Sequence, residues 1–497
     1  MNSFDSLFIQ NLQKFQNSVK VAFHINGVSY TYKQLIETAA SLQQMIKKLP
    51  DDLFGLYATD DIRTYASILA LWFSGKAYVP FNPGQPKERH KEVASVTDIR
   101  CILSSEDSYT LGDIKILKTS DINPFDNSGI SLETITVADD KLAYILFTSG
   151  STGTPKGVQI TRGNVAAFID SMDNIGLNIT SEDKCLQPFD LTFDFSVSGY
   201  VIPLVKGASI YTVPLKATKF TYIALLLEEH HLSVLQMVPS MIRNLLPYIA
   251  EVDVSSVRYN ILCGEALTGK VIKKWHKGNQ SMISYNMYGP TEDTVFCTCY
   301  ILNHDNIDNP LSNNDIICIG KTFKNNEVVL LNDNNEIIND IGVVGELCLS
   351  GKQLTPGYFN NPLENDNKFF YLNGQRFYRS GDLCYYSQNE DLMYVSRKDF
   401  QLKINGFRVE LEEIENKYFK ISEGRYSVVI PYENKQGNTE LAIIIEGKEY
   451  DVEEHHKKLA SVLPFYEIPQ KWLFVKSIPL NQNGKIDRPT LRKMFNL

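Results

Sequence analysis

Thr148-Ser149-Gly150-Ser151-Thr152-Gly153-Thr154-Pro155-Lys156-Gly157 stand between two apolar runs, residues 143–147 and 158–160, that read as short buried strands. Glycines let backbone N–H groups turn inward, hydroxyls add donors and a lysine supplies charge, a combination that suits a polyphosphate. The Walker P-loop sets Gly-Lys-Ser/Thr after four spacer residues; here Pro155 precedes Lys156 and Gly157 follows it, so the nucleotide chemistry belongs to another class. On composition alone a flexible Gly/Ser surface loop stays open as the other reading.

Three carboxylates extend the pattern. Glu292, after Tyr288-Gly289-Pro290-Thr291, is a candidate Mg²⁺ ligand, because a polyphosphate brought to a lysine loop needs a hard oxygen to hold its metal. Asp382, in Tyr378-Arg379-Ser380-Gly381-Asp382-Leu383, can accept both hydroxyls of a ribose. Each reads equally well as a solvated turn carboxylate. Asp194 lies between Phe193 and Phe195 in what reads as an apolar strand, and a buried carboxylate calls for a cation, from the protein or from a substrate amine. Lys485, on a tight turn at Asn483-Gly484-Lys485, reads by itself as surface charge.

The elements that must position these groups alternate. A helix is expected at 7–15, a hairpin on Asn26-Gly27, helices at 33–48 and 64–73, and strands near 54–57 and 77–80. The alternation resumes through residues 166–241, with strand ends at 259–265 and 282–288. Strands alternating with helices indicate a parallel sheet with helix-covered faces, and Gly289, Pro290 and Glu292 fall outside a strand's carboxyl end, where such sheets collect ligands. After Ile316 short strands and turns suggest a small β-rich subdomain, and from about Arg397 the chain reads as a separate compact unit.

At 497 residues there is chain for about three domains. The net charge of −9 without a long single-sign block argues against nucleic acid or an anionic membrane as the main partner. No window reaches the roughly 18 apolar residues of a membrane helix, and no signal peptide is read at the N-terminus, so a cytoplasmic protein is expected. The eight cysteines lack CxxC spacing and read as reduced, mostly buried thiols.

Taken in order along the chain, Tyr30-Thr31-Tyr32-Lys33-Gln34-Leu35, Gly75-Lys76-Ala77-Tyr78-Val79-Pro80, residues 147–157, 288–292, Gly345-Glu346-Leu347, residues 378–383, 397–415 and 483–488 resemble the motifs of the adenylate-forming superfamily. That superfamily unites the adenylation domains of nonribosomal peptide synthesis with acyl-CoA synthetases and luciferases. The resemblance implies an α/β adenylate-forming fold: a large N-terminal domain (1–398), with two helix-flanked sheets and a small β-barrel, and a small mobile α+β C-terminal domain (399–497), hinged at Asp399. It implies ATP and Mg²⁺ as cofactors. Thr148, Ser149, Gly150, Ser151, Thr152, Gly153 and Lys156 would wrap the phosphates. Asn286, Met287, Tyr288, Gly289, Pro290 and Thr291 would border adenine and α-phosphate, Glu292 would hold Mg²⁺, and Asp382, Tyr394 and Arg397 would hold the nucleoside. Lys485 would be the catalytic lysine, bridging carboxylate and α-phosphate.

Asp194 matches the aspartate with which adenylation domains pair a substrate α-amino group, which favours an amino acid over a fatty or aryl acid. Phe195, Ser198, Gln236, Ile261, Cys263, Met287, Val295 and Phe296 match the remaining pocket positions, and two aromatics with a methionine leave room for a small side chain. The likeness is strongest to the stand-alone D-alanine:carrier-protein ligases, with departures at Ser198, Gln236, Met287 and Phe296. The expectation is a monomeric ligase that activates a small amino acid, D-alanine first, and loads the phosphopantetheine thiol of a separate carrier protein. Alternatives are an adenylation enzyme for another small L-amino acid, an acyl-CoA ligase and, least supported, a non-catalytic nucleotide-binding module.

Overall fold

The computed structural model describes residues 3–126, 129–149, 155–399, 401–480 and 486–497. Two large sheets carry the first three hundred residues. In one, six strands run in the order Lys115–Lys118, Cys101–Ser104, Leu53–Tyr57, Ala77–Phe81, Leu142–Thr148 and Lys156–Thr161, all parallel except the last pair. The other has nine strands, Lys321–Thr322, Thr298–Leu302, Ile283–Tyr288, Tyr259–Leu262, Val234–Met237, Lys184–Gln187, Ser209–Thr212, Val21–Ile25 and Val28–Thr31, parallel in its middle and antiparallel at both edges. Asn26 and Gly27 form the expected hairpin turn with φ of 50° and 78°.

Helix Ile62–Phe73 is mostly apolar and buried at every residue but Arg63, the mark of an internal helix. Its Trp72 meets Tyr200 of helix Phe195–Lys206 at 6.1 Å, and the Tyr200 hydroxyl meets that of Tyr78 at 2.6 Å, so the two sheets share one core. The helix expected at 7–15 is instead a π-helical turn, Asp5–Ile9, running into Gln10–Gln13; Phe4 and Phe8 are drawn against Trp72, and that packing sets the local winding.

A third, antiparallel sheet is built on the long strand Gln375–Tyr386, with Gly345–Gly351, Asn326–Leu331, Ile337–Ile338, Phe369–Leu372 and Leu392–Arg397. Beyond residue 400 the hairpin Leu402–Ile404/Phe407–Val409 leads to a three-stranded sheet, Ser427–Glu433, Thr439–Glu446 and Lys471–Val475, flanked by helices Leu411–Ile421, Glu453–Ala460 and Arg488–Phe495. This part has its own apolar clusters, around Ile414, Ile443 and Leu459 and around Val428, Ile444 and Leu491. Among the described residues no helix is long and apolar enough to cross a membrane. None of the eight cysteines is paired, and all but Cys299 are buried.

Candidate active site

The two parallel sheets deliver their strand ends to one place. Thr148 and Ser149 leave strand Leu142–Thr148, Cys263 and Gly264 follow Tyr259–Leu262, and Tyr288, Gly289, Pro290 and Thr291 end Ile283–Tyr288. These residues, with Asp194, Phe195, Phe296, Asp382 and Arg397, line a pocket of ≈ 70 Å³. The expected phosphate residues Gly150, Ser151, Thr152 and Gly153, and Lys485, lie outside the described residues.

Asp194 does not sit in a strand. Asp190 accepts from the Thr192 backbone N–H at 3.0 Å in a tight turn, and the chain then enters helix Phe195–Lys206 with Asp194 at its N-cap position. A carboxylate there meets the positive end of the helix. It accepts a 2.7 Å bond from Thr291 Oγ1 and is 9% exposed. Burial pushes its carboxyl above the ordinary range, against the pull of the Thr291 hydroxyl and of Lys403; a substrate ammonium would reverse that shift.

Of the other expected pocket residues, Phe195 and Phe296 close one wall edge to face at 5.1 Å, with Cys263 beside them on the lining. Ser198, Gln236, Ile261 and Val295 are buried but do not reach the pocket, and Ser198 Oγ donates to Gln236 Oε1 at 2.9 Å. Asn286, Met287 and Tyr394 face a neighbouring cleft of ≈ 1510 Å³, onto which Tyr288, Asp382, Arg397 and Asp399 also open. The cleft continues between the N-terminal sheets and the C-terminal unit, where Gly437, Arg488 and Arg492 line its far side.

Asp382 accepts from the Tyr288 hydroxyl at 2.5 Å and from Arg397 Nη1 at 2.8 Å; Arg397 also holds Asp399 through Nε at 2.6 Å and Nη2 at 2.9 Å. The segment after Glu292 is strained, since Thr294 and Val295, both β-branched, have φ of 52° and 72°. Gln353 fixes it, its Nε2 reaching Phe296 O at 2.7 Å. Gly289 is required opposite, because a Cβ there would stand 2.5 Å from Val295 O.

Glu292 is fully buried and accepts from Tyr358 at 2.6 Å and from Arg408 Nη1 at 2.9 and 3.0 Å. Burial alone would raise its carboxyl; Arg408 and Tyr358 outweigh burial and hold it below the ordinary range. Lys156 pairs with Glu364 at 2.6 Å. Thr148 Oγ1 and Arg408 Nε are buried without a hydrogen-bond partner. Lys156 and the unpartnered donors suit a phosphate, and Glu292 offers the hard oxygens a divalent cation takes, with Arg408 holding both of them here.

The sequence reading missed the far half of this site. Lys403, Gly406, Phe407, Arg408 and Tyr466 all line the pocket. Phe407 stacks on Tyr466 at 4.0 Å and leans on Phe193 at 5.3 Å, and Ser149 Oγ donates to Arg408 O at 2.9 Å. Residues 401–408 lie within the 397–415 motif without an assigned role, and Glu292, the partner of Arg408, is 116 residues away. With the hairpin in place the pocket is ≈ 70 Å³, well below the roughly 300–1,000 Å³ of ordinary small-molecule sites.

A family model described as AMP-binding enzyme matches residues 10–359. Gramicidin S synthase 2 of Brevibacillus brevis is 30% identical over 511 residues, covering 99% of this chain and 11% of that protein, so the chain spans only a small part of that relative's length. Among solved structures, the adenylation domain AlmE of Vibrio cholerae, in complex with glycyl-adenosine-5′-phosphate, superposes with a TM-score of 0.86 at 24% identity, covering 100% of this chain and 98% of that one. Holo-PA1221, a protein containing adenylation and PCP domains, gives 0.85 at 23% identity, covering 98% and 84%. With a model match over most of its length and whole-chain likeness to adenylation domains, the chain belongs to the AMP-binding enzymes, the adenylate-forming superfamily.

Proposed function

We propose that this protein joins a small amino acid to AMP, with ATP as co-substrate, and passes the aminoacyl group to the phosphopantetheine thiol of a carrier protein. The observation that carries the reading is Asp194: a buried carboxylate at a helix N-terminus that lines the pocket at the strand ends. It fits an α-ammonium, and the Phe195–Phe296 pair on the same lining is in keeping with a small side chain, D-alanine being the first candidate. The glycyl-adenosine-5′-phosphate bound by AlmE and the PCP domain of PA1221 support the same class of substrate and acceptor.

The first step needs no general base. A carboxylate is ionised at pH 7, so its oxygen attacks the α-phosphorus and pyrophosphate leaves, and catalysis is positioning and charge stabilisation. Asp194 orients the amino acid, Asp382 and Arg397 the ribose, and Thr148, Ser149 and Lys156 the phosphates. Glu292 would hold Mg²⁺, which supplies charge neutralisation at the pyrophosphate. Lys485 bridges the carboxylate and α-phosphate. Asp399 is the hinge between an N-terminal domain of 1–398 and a mobile domain of 399–497. In the second step the thiol attacks the acyl carbon and AMP departs.

Pyrophosphate exchange against a panel of D- and L-amino acids is the test. Exchange confined to glycine, alanine and residues of like size is expected; exchange with bulky residues only, or with none, overturns the reading. Lys485→Ala should lower exchange by about 10²- to 10³-fold while ATP still binds; normal exchange refutes that role.

A further inference from the structure

Thr294 and Val295 have φ of 52° and 72°, a region that β-branched side chains avoid, and they stand between Glu292 and Phe296. Strain of that kind persists only where the surroundings over-determine it, and a side chain beside the third sheet does so. Gln353 follows strand Gly345–Gly351 by two residues and is fully buried. Its Nε2 donates to Phe296 O at 2.7 Å, Asp293 O at 3.2 Å and Thr294 O at 3.3 Å, and its backbone carbonyl accepts from Thr294 Oγ1 at 2.5 Å. Three carbonyl oxygens around one nitrogen fix which end of the amide faces the turn, since Oε1 in that place would meet acceptors only. Gln353 is itself anchored: Asn164 Nδ2, in the first turn of helix Arg162–Met172, donates to the flanking carbonyls of Lys352 at 2.8 Å and Leu354 at 3.1 Å.

The two ends of this turn have separate supports. At Glu292 the backbone oxygen accepts from Thr355 N at 2.8 Å, and the carboxylate accepts from Tyr358. At the other end the Phe296 carbonyl rests on Gln353, while the ring meets Phe195 at 5.1 Å and Phe168 at 5.9 Å. Phe195 and Phe296 line the pocket with Asp194; Gln353 does not. We infer that Gln353 is a positioning residue for amino-acid selection: by holding the strained turn it fixes the Phe296 wall against which a substrate side chain is measured, without touching the substrate. This rests on the reading of the pocket as an amino-acid site. The signal that sets the wall thus comes from a different sheet than the wall itself.

The test is pyrophosphate exchange over amino acids of graded size, with the full chain as wild type, Gln353→Met and Gln353→Glu. Gln353→Met keeps the length and removes the donors; Gln353→Glu keeps the shape and sets a carboxylate against three carbonyl oxygens. A fixed apolar wall discriminates by about 10- to 200-fold per methylene, so with the wall loosened the ratio of kcat/KM between the best amino acid and its next larger homologue should fall by about tenfold in Gln353→Met and further in Gln353→Glu. The KM for the best amino acid should rise while that for ATP stays within about twofold, because the Glu292 end keeps its own supports. Partial unfolding would lower kcat for every amino acid alike and leave the ratio as it was. Phe296→Ala completes a double-mutant cycle, and in that background Gln353→Met should change the ratio little. An unaltered ratio in Gln353→Met, or the same fall with and without the Phe296 ring, overturns the inference. A wild type that exchanges with no amino acid refutes the reading of the site on which the inference rests; exchange with bulky residues alone refutes only the size class, and the Gln353 ratios are then read on those substrates.

Discussion

Arg89→Met should release the C-terminal unit from the N-terminal sheets, and the size of the effect follows from what surrounds the guanidinium. Arg89 and Glu92 lie on helix Lys87–Thr97; Glu413 and Lys417 lie on helix Leu411–Ile421. Arg89 Nη1 is 3.2 Å from Glu413 Oε1 and 3.7 Å from Glu92 Oε2, and Lys417 Nζ is 2.5 Å from Glu92 Oε1. The Arg89 side chain is 6% exposed and that of Glu413 1%. Glu467, 1% exposed, joins the cluster. Burial raises its carboxyl well above the ordinary range, Glu413 adds to this and Arg89 opposes it. Two cations thus face three carboxylates, and charge balances when Glu467 holds a proton.

Removing one partner of a buried pair costs about 3–5 kcal/mol, roughly 10²- to 10³·⁵-fold in an equilibrium constant. Only the docked arrangement bears that cost, because once the units separate water solvates Glu413 and Glu467. Hydrogen exchange of residues 402–409 should therefore accelerate in Arg89→Met, while the melting of the N-terminal core stays near wild type. The pH dependence has a fixed sign. Glu467 has a higher pKa docked than undocked, so its own contribution to docking is complete below the undocked value and is lost as pH rises through the docked one. Glu467→Gln should flatten that profile. Unchanged hairpin protection in Arg89→Met, or a wild-type profile that strengthens with pH, would refute the argument.

Three further substitutions address the site itself. Asp194→Asn removes the partner of the substrate ammonium and should raise the amino-acid KM by at least about 30-fold, from a loss of 2–5 kcal/mol, with little change in the KM for ATP; because burial raises the Asp194 carboxyl, the wild-type KM should climb as pH falls through that raised value. In Gly289→Ala the new Cβ would meet backbone at 2.5 and 2.7 Å, which should destabilise by about 1–3 kcal/mol and displace Phe296, seen as a lower Tm together with a lower kcat/KM. Asp293 is fully buried, accepts from Asn326 at 2.8 Å and has its carboxyl pushed up to about 8 by burial; stability tied to its protonated form is complete below the unfolded-state pKa and lost as pH rises towards 8, so Asp293→Asn should hold its Tm between pH 6 and 9 while the wild type loses Tm.

The sequence made legible whatever is local. The Asn26-Gly27 turn, the strand ends at Thr148, Cys263 and Tyr288, and the small polar residues that follow them all carry their cause within a few positions, and the sheets bring those ends together as the α/β rule requires. Asp194 shows the limit of that reading. Two flanking phenylalanines suggest a strand, whereas the Asp190 turn starts a helix there, and Phe193 and Phe195 diverge, one to Phe407 and the other to Phe296. Ser198 and Gln236 were illegible for another reason: each is buried off the pocket lining and they hydrogen-bond to one another across 38 residues, a packing choice that no periodicity encodes.

What lay furthest from view was the charge logic linking the two halves of the chain. Glu292, Lys156 and Asp382 read as three groups waiting for a ligand, yet each has a protein partner of opposite charge, in Arg408, Glu364 and Arg397. Burying an ionised group is costly for a fold of marginal stability, and Asp194, paired with the Thr291 hydroxyl, meets that cost by a carboxyl raised above its ordinary range. The charges of the site are neutralised from within, and the cation for Glu292 comes from the hairpin Leu402–Ile404/Phe407–Val409. Arg408 reaches Glu292 from 116 residues away, and a pairing between groups so far apart leaves no trace in local spacing or periodicity.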